Sequence, residues 1–390
     1  MTKRVKVVEE LPLEEGGGQR ERFIDKLPDE VVKVKIDSLA HGSGKDVSES
    51  GIPNLGEPEP RPLPVPKNVV AMPKVGAPST LSDEDAAARN KAVQDKIIIV
   101  TGGAGFIGTH LIKALNNQGK ENILLVDDLT DPRKIHNIKD LKFQDYTDKS
   151  KFMELFAFMA KNEMVESLYH LGAESSTACT DGKYLMENNY QYTANLMDLC
   201  HMHKVSMVYA SSAAVYGEQT KEWGTFDDTS DDYTPQSYYA LSKLQADKYS
   251  RKFQAVAEDK IVGLRYFNVV SKGEHEQHKD GQKSPLCWMN EQYLRSGCIN
   301  LFKGSIDFHR DFVGVEDAVW MTMNAMKQAR SGVYNIGKGE VKSFYEMALE
   351  IVDDVREIKF IEMPVEIASS YQTYTCANMD NAGFSITSRP

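Results

Sequence analysis

Short apolar runs alternate with longer stretches of helical periodicity from residue 96 onward. The runs are nearly continuous and lie at residues 96–100, 123–126, 167–171, 207–210 and 261–267. Strands that are buried on both faces have this texture, and a helix between successive strands makes them parallel. The pattern therefore predicts an α/β fold with a doubly wound parallel Rossmann sheet over residues 95–270. We assign residues 271–390 to a smaller C-terminal substrate-binding lobe that interleaves with the sheet domain.

The first 94 residues have a different pattern. Ten of the 15 prolines precede residue 80, and eight of them lie in residues 51–78, a composition that favours extended chain over a packed domain. Residues 31–37 alternate apolar and basic side chains with the period of a strand, and Ser82 opens a short helical pattern. We interpret residues 1–94 as an extended N-terminal arm. It is either a flexible tail or an arm that docks on non-identical chains of an assembly.

Composition narrows the function classes. A net charge of -11 provides no general attraction to nucleic acid, and no apolar run approaches the length of a membrane span. The five cysteines are widely spaced and form no CxxC pair, which suits neither a disulfide framework nor a zinc site. We expect a cytoplasmic, metal-free protein without nucleic-acid or membrane partners.

A glycine-rich segment directly follows the first predicted strand. In TGGAGFIG, residues 101–108, the glycines at 102, 105 and 108 stand where a strand turns into a helix. Such a turn lets backbone amides meet a pyrophosphate, and the last glycine allows close packing of the helix. Asp127 ends the next strand, where an acidic residue binds the adenine ribose and favours NAD. The segment predicts a dinucleotide site.

Three cations leave the choice of dinucleotide open. Arg133, Lys134 and Lys149 follow Asp127 closely and could neutralise a 2′-phosphate, although surface lysines are an ordinary alternative. The cofactor is therefore expected to be NADP or NAD. Downstream, residues 170–176 (HLGAESS) place small side chains at the carboxyl edge of the sheet, where nucleotides bind in open α/β folds.

A hydroxyl, a phenol and an amine follow in chain order. Ser212 lies in YASSAAVYG, and Tyr239 and Lys243 share one helix face because they are four residues apart. The ammonium group of Lys243 can lower the pKa of the phenol, which then acts as an acid or base, while Ser212 holds the reacting oxygen. Each residue alone is a weak signal, but together they predict a catalytic group.

These motifs, with RYFNV at 265–269, resemble the extended short-chain dehydrogenase/reductase family over residues 96–380. Within it, the chain is most similar to the ADP-L-glycero-D-manno-heptose 6-epimerases. The similarity lies in residues 181–192, 276–281, 302–312 and 371–375. The resemblance implies NADP-dependent epimerisation at C6 of an ADP-heptose, a lipopolysaccharide precursor, by transient oxidation and hydride return. It also implies a homo-oligomer.

The resemblance assigns roles to individual residues. Tyr239 and Lys279 would be the two acid/base groups, Lys243 would position Tyr239, and Ser212 would support the oxyanion. The implied cofactor contacts are Gly102, Gly105, Phe106, Ile107, Gly108, Asp127, Asp128, Lys134, Lys149, Leu171, Gly172, Ala173, Glu174, Ser175, Asn188, Lys243 and Val269. The implied substrate contacts are Asn268, Phe302, Lys303, Gly304, Ser305, Arg310 and Tyr371.

Arg310 suits the substrate pyrophosphate, because a guanidinium contacts phosphate oxygens in pairs. An internal pair of Arg310 with Asp311 or Glu316 is the alternative. The chain also departs from the family pattern: residues 270–272 replace a Tyr-Gly-Pro turn, Trp288 replaces a histidine, and the family's final helix is not expected.

Two other functions compete with epimerisation. A nucleotide-sugar 4,6-dehydratase needs an acidic pair beside the hydroxyl residue, but alanines follow Ser212 at 213 and 214. A structural or interaction subunit built on an epimerase fold is the other alternative. In that case residues 1–94 would attach the fold to a larger assembly.

Overall fold

The computed structural model describes eight parts of the chain: residues 4–7, 22–25, 96–217, 228–254, 259–273, 275–279, 282–368 and 371–381. The chain divides into two units, Met1–Ala77 and Pro78–Pro390. In the first unit, strands β1 (Arg4–Val7) and β2 (Arg22–Asp25) pair antiparallel. The strand predicted at 31–37 and the helix predicted after Ser82 lie outside the described residues.

A seven-stranded parallel sheet forms the centre of the second unit. Its strands are β3 (Ile97–Thr101), β4 (Ile123–Asp127), β5 (Asp145–Asp148), β6 (Val165–His170), β7 (Ser206–Ser212), β8 (Ile261–Tyr266) and β13 (Gly332–Ile336). Their order is β13-β8-β7-β6-β3-β4-β5. The order reverses between β3 and β6, where open α/β sheets bind ligands at the carboxyl ends of their strands. The predicted doubly wound Rossmann fold is confirmed.

Ten α-helices are described along the chain. They are α1 (Phe106–Asn117), α2 (Ile135–Ile138), α3 (Lys149–Lys161), α4 (Gly182–Leu185), α5 (Tyr192–His203), α6 (Tyr238–Ser250), α7 (Pro285–Ser296), α8 (Val315–Gln328), α9 (Phe344–Leu349) and α10 (Val365–Ala368). A π-helical segment, Met186–Gln191, joins α4 to α5, and a 3₁₀ turn, Ala213–Tyr216, follows β7.

The central strands are apolar on both faces because helices cover both sides of the sheet. Ile98 and Val100 of β3 pack into the core formed with α1 and α8, whereas the intervening Ile99 packs into the core with α3 and α5. Side chains alternate across a strand, so each strand serves two cores. Burying one such side chain contributes roughly 1.5–3 kcal/mol.

The C-terminal lobe contains three small pairings. Strand β9 (Asn268–Val270) runs parallel to β12 (Phe312–Gly314), and β10 (Ile299–Phe302) runs parallel to β15 (Ile358–Ile361). Strands β11 (His309–Arg310) and β14 (Lys342–Ser343) are antiparallel. The lobe has its own core, which includes Met289, Leu301, Phe344 and Met347. The chain leaves this lobe at α8 and rejoins the main sheet at β13. The division into residues 95–270 and 271–390 remains a prediction.

None of the described helices combines the length and the apolarity needed to cross a bilayer. All five cysteines are free thiols. Strands β5 and β13 were absent from the prediction based on apolar runs, because β5 is short and polar at the sheet edge and the five residues of β13 include the polar Asn335.

Candidate active site

The glycine segment forms a tight turn between β3 and α1. Gly102 has a φ of +68°, and a Cβ there would lie 2.7 Å from the backbone nitrogen of Gly172. A Cβ on Gly108 would lie 2.0 Å from the carbonyl oxygen of Gly102, so only glycine lets α1 pack against the turn. A Cβ on Gly105 would make one tight contact, 3.1 Å from the carbonyl oxygen of Gly102. Glycine avoids this contact and leaves the backbone amides at the N-terminus of α1 accessible. An anion can therefore approach the N-terminus of α1 at Gly105.

Asp127 holds this turn in place. One oxygen of its carboxylate accepts a hydrogen bond from the Ala104 amide at 2.8 Å, and the other accepts from the Asp128 amide at 2.8 Å. The Lys134 ammonium lies 2.7 Å from the second oxygen, and Lys149 lies 4.0 Å from the Asp128 carboxylate. Asp127 is thus a brace for the glycine turn, and its charge is partly neutralised by Lys134.

These elements line a cleft of about 580 Å³ at the carboxyl edge of the sheet. The predicted cofactor residues that line it are Gly102, Gly105, Phe106, Ile107, Gly108, Asp127, Asp128, Lys134, Lys149, Leu171, Gly172, Ala173, Glu174, Ser175 and Asn188. Lys243 and Val269 are not among its lining residues, whereas Lys279 is. The size, the glycine cradle and the anion-binding helix end fit a dinucleotide.

Ser212, Tyr239 and Lys243 are brought together beyond the end of β7. Ser212 is close enough to Tyr239 to lower the pKa of its phenol, and the Ser212 hydroxyl oxygen accepts from the Ala214 amide at 3.2 Å. Ser237 caps α6 by accepting from the Ala240 amide, which fixes the first turn that carries Tyr239. The Lys243 ammonium donates to the Ala210 carbonyl at 2.7 Å and lies 6.0 Å from the centre of the Tyr239 ring. All three groups therefore have defined positions.

The electrostatics of this group differ from the expectation based on spacing alone. Burial raises the pKa of Tyr239, the Ser212 hydrogen bond opposes that shift, and the charge of Glu174 adds to it. Burial also lowers the pKa of Lys243 to about 8, against the attraction of Asp247. The expected lowering of the phenol pKa is wrong for this state, because desolvation dominates and Lys243 is bonded to a carbonyl.

A buried ionic network supports α6 from behind. Asp247, one turn after Lys243, accepts from Tyr209, Ser211 and Arg265 at 2.8–2.9 Å. Arg265 is fully buried and also pairs with Asp231. Removing one partner of a buried pair is costly, so this network fixes the helix that presents Tyr239.

Lys279 lies on the loop between β9 and α7. Its ammonium is 5.2 Å from the centre of the Phe106 ring, and burial lowers its pKa while Glu276 opposes the shift. The buried Glu276 accepts from the amide of Ser284 at 2.5 Å and from its hydroxyl at 2.7 Å, which closes the loop. No described contact joins Lys279 to Tyr239, so its acid/base role remains a prediction.

Arg310 lies in a second cluster in the C-terminal lobe. Its guanidinium is 5.2 Å from the Tyr371 ring and 5.5 Å from the Phe344 ring, and the Phe302 ring lies 6.1 Å from that of Tyr371. Burial lowers the pKa of Arg310 to about 10. We call Phe302, Arg310, Phe344 and Tyr371 the arginine cluster.

The expected internal partners of Arg310 are engaged elsewhere or do not contact it. Asp311 accepts from the backbone amides of Lys338, Gly339 and Ala377 at 2.8–3.1 Å. Within the described ranges, Arg310 forms no ion pair with Asp311 or Glu316, and its hydrogen bond goes to the His309 carbonyl at 3.1 Å. The guanidinium keeps donors available for an anionic ligand.

The other predicted substrate residues have varied surroundings. Gly304 has a φ of +90°, and Ser305 is buried beside it. Lys303 is exposed and pairs with Glu362. The Asn268 amide donates to the Asp311 carbonyl at 3.1 Å, where β9 pairs with β12. Sequence motifs identified these positions, but only part of the set meets at the arginine cluster.

Several residues of the cleft were missed by the sequence analysis. The lining residues that were not assigned individually are Thr101, Val126, Asp131, His170, Tyr184, Tyr192, Ala210, His278 and Gln282. His170 bonds to Thr101 at 2.6 Å and to Thr193 at 2.9 Å, and burial lowers its pKa to about 3. The Asn137 amide lies 3.2 Å from the ring of His278. These residues come from segments that are far apart in the sequence, so no local sequence pattern marks them as neighbours.

Comparison with known proteins places this architecture in a family. The model of the NAD dependent epimerase/dehydratase family matches residues 98–337. The chain belongs to that family, whose members are NAD-dependent, and is an extended short-chain dehydrogenase/reductase.

Solved structures agree with this assignment. ADP-L-glycero-D-manno-heptose-6-epimerase from Helicobacter pylori is 25% identical with a TM-score of 0.64, over 75% of this chain and 92% of that one. UDP-glucose 4-epimerase from Thermus thermophilus, in complex with NAD, is 24% identical with a TM-score of 0.60, over 72% and 90% of the two chains. A dTDP-glucose 4,6-dehydratase from Streptomyces venezuelae, with NAD bound, is 20% identical with a TM-score of 0.61, over 74% and 91%. The fold is thus shared by epimerases and dehydratases.

Proposed function

We propose that this protein epimerises a nucleotide-activated sugar, with ADP-D-glycero-D-manno-heptose as the substrate and C6 as the reacting centre. The observation that carries the proposal is the group formed by Ser212, Tyr239 and a buried Lys243: Lys243 lies 6.0 Å from the Tyr239 ring and donates to the carbonyl of Ala210, which lines the dinucleotide-sized cleft. The choice of sugar is supported by the resemblance in residues 302–312 and 371–375 and by the similarity to the Helicobacter pylori heptose epimerase.

The chain's own residues handle the proton and the oxygen. Tyr239 takes the proton of the C6 hydroxyl as the carbon is oxidised, and the second acid/base group gives a proton to the oxygen when the ketone is reduced in the other orientation, which is general acid–base catalysis. Ser212 donates to the oxygen that gains charge. By resemblance, Lys243 positions Tyr239. The glycine turn at Gly102 and Gly105 and the cations Lys134 and Lys149 would hold NAD or NADP, which would supply the hydride acceptor and donor for this chemistry. Because inversion presents the ketone in two orientations, Lys279 is assigned as the second acid/base group by resemblance.

The arginine cluster supports a diphosphate as part of the substrate. A buried guanidinium whose carboxylate neighbour is engaged elsewhere is complementary to a doubly charged pyrophosphate. Phe302 and Tyr371 provide flat apolar surfaces next to it. Arg310 therefore holds the nucleotide moiety while the sugar reaches Tyr239.

For the cofactor, we infer a preference for NADP over NAD. Lys134 and Lys149 line the cleft beside Asp127, and Lys134 already offsets the carboxylate charge that would repel a 2′-phosphate. A 2′-phosphate would gain two cationic neighbours there.

Epimerisation is favoured over dehydration by the residues that follow Ser212. Ala213 and Ala214 begin the 3₁₀ turn and provide no acid to protonate a leaving hydroxyl. Glu174 acts on Tyr239 through its charge but is a single carboxylate. Elimination would need a pair of acidic groups beside Ser212.

An interaction role is a second candidate, favoured by the family match that begins only at residue 98. In that role residues 1–94 would attach the epimerase fold to non-identical chains. Deleting residues 1–90 should leave cofactor binding intact and abolish incorporation into a larger complex, measured by co-purification and size-exclusion chromatography. Loss of folding in the truncated chain, with unchanged partners, would contradict this.

The activity is tested with purified protein and ADP-D-glycero-D-manno-heptose, with no added cofactor, followed by chromatographic separation of the two epimers. We expect conversion to a mixture of both epimers, because the hydride is returned in each turnover. A preparation that contains bound dinucleotide yet leaves the substrate unchanged would contradict the proposal.

A further inference from the structure

Thr375 carries a buried hydroxyl without a partner. The residue is 1% exposed, and its side-chain oxygen has no hydrogen-bond partner among the described residues. Burying an unpaired hydroxyl is unfavourable, so such groups are rare and call for an explanation. A group that receives its partner only when a ligand binds is one such explanation.

The backbone places Thr375 beside Arg310. The Thr375 amide donates to the His309 carbonyl at 3.1 Å, and the Asp311 amide donates to the Thr375 carbonyl at 2.9 Å. These two bonds bracket Arg310, so Thr375 and Arg310 are paired across neighbouring parallel segments. Paired residues project to the same face, and neighbouring strands lie about 4.8 Å apart. The hydroxyl therefore lies on the face that carries the guanidinium.

Tyr371 projects to that face as well. It lies four residues before Thr375, in a segment that runs beside β11: the His309 amide donates to the Thr373 carbonyl at 2.9 Å. Its ring is 5.2 Å from the Arg310 guanidinium, which agrees with this placement. Tyr371 is partly exposed, whereas Arg310 and Thr375 are buried, so a ligand would reach this face by way of Tyr371.

The neighbouring carboxylate does not occupy this face. Asp311 alternates to the opposite side of the strand, where it accepts from the amides of Lys338, Gly339 and Ala377. The face thus combines one cation and one neutral hydroxyl. Among the described residues, the Thr375 hydroxyl has no hydrogen-bond partner and the Arg310 guanidinium donates to the His309 carbonyl, which leaves further donors free. That combination matches a phosphoryl group, which accepts several hydrogen bonds and carries negative charge.

We propose that Thr375 is a diphosphate-binding residue whose hydroxyl donates to a phosphoryl oxygen of the nucleotide held by Arg310. This inference rests on the proposed function, because it assumes that Arg310 binds the diphosphate of a nucleotide sugar. It adds a neutral donor that positions the phosphoryl group next to the cation.

The test uses the full chain and isothermal titration with two probes, ADP and adenosine. Thr375→Val keeps the shape and removes the hydroxyl, and Thr375→Ser restores it. We expect Thr375→Val to weaken ADP binding by roughly tenfold, the scale of one hydrogen bond to a charged group. Adenosine binding should not change, and Thr375→Ser should bind ADP like the wild type.

Thermal unfolding without ligand gives a second readout. If the hydroxyl is unpaired in the free protein, Thr375→Val should melt no lower than the wild type, since no hydrogen bond is lost. A melting temperature that falls while ADP affinity stays unchanged would show a purely structural hydroxyl and overturn the inference. Should the valine variant fail to fold, Thr375→Ala provides the same comparison.

Arg310→Gln separates the role of Thr375 from the proposed diphosphate site at Arg310. Loss of ADP binding in Arg310→Gln with unchanged binding in Thr375→Val would overturn the role of Thr375 alone. A wild-type protein that binds no ADP would overturn both this inference and the diphosphate part of the proposed function.

Discussion

The cofactor cleft and the arginine cluster of the C-terminal lobe differ in how they are built. The cofactor cleft relies on backbone features: a turn at Gly102, the open N-terminus of α1 and the brace from Asp127. The arginine cluster relies on side chains from segments far apart in sequence, such as Arg310 and Tyr371. The glycine turn is therefore encoded locally, whereas the arginine cluster, where we propose that the sugar nucleotide binds, depends on the fold of the lobe.

The largest expected effect comes from removing the Tyr239 hydroxyl. Tyr239→Phe removes the acid/base hydroxyl and should slow epimerisation by roughly 100- to 10,000-fold, the usual scale of such a group. The bound dinucleotide, measured after extraction, should remain. Tyr238→Phe is the matched control, since Tyr238 is the preceding residue and 54% exposed. Equal rates for the two variants would remove Tyr239 from the mechanism.

Lys279 tests whether the cofactor cleft also supplies the second acid/base group. Lys279→Met should slow turnover by roughly 100- to 10,000-fold if the group moves a proton. Since Lys279 lies over Phe106 at the glycine turn, dinucleotide content must be measured together with the rate. Loss of cofactor in proportion to loss of rate would make Lys279 a cofactor contact instead. The exposed Lys272→Met provides the control.

These two residues show how much the sequence could predict. The parallel sheet, the glycine turn and the Ser212–Tyr239–Lys243 group follow from local patterns, because each needs only a strand, a turn or one helix face. The direction of the Tyr239 pKa shift does not, because it depends on burial by the whole fold. The partners of His170 and Asp127 come from other strands and loops and were equally out of reach.

The pH dependence of stability should report the buried histidine of the cofactor cleft. Burial lowers the pKa of His170 to about 3 from an ordinary 6.5, so below pH 6.5 the unfolded chain binds a proton that the folded chain does not. The free energy of unfolding should fall as the pH decreases from about 6.5 toward 3, by up to about 1.4 kcal/mol per pH unit.

Urea unfolding across that pH range measures this slope. His170→Asn should flatten it in part, since burial also lowers the pKa of His278 to about 4. His136→Asn is the matched control, because His136 is exposed. An unchanged slope in His170→Asn would show that His170 does not control acid stability.

The smallest expected effect concerns the choice of cofactor. Replacing Lys134 and Lys149 with alanine should shift the preference from NADP toward NAD, because the cations beside the 2′-phosphate are lost while Asp127 remains. Cofactor exchange followed by extraction measures the ratio. Recovery of NAD alone from the native protein would show that Asp127 already decides the preference.

The central claim is that the site oxidises the sugar and returns the same hydride to the opposite face. The most direct measurement uses ADP-D-glycero-D-manno-heptose deuterated at C6, in ordinary water, with the product analysed by mass spectrometry and NMR. The account predicts an inverted C6 that retains its deuterium, because the hydride stays with the enzyme-bound dinucleotide. Inversion with hydrogen from water at C6, or no inversion by protein that retains its dinucleotide, would contradict it.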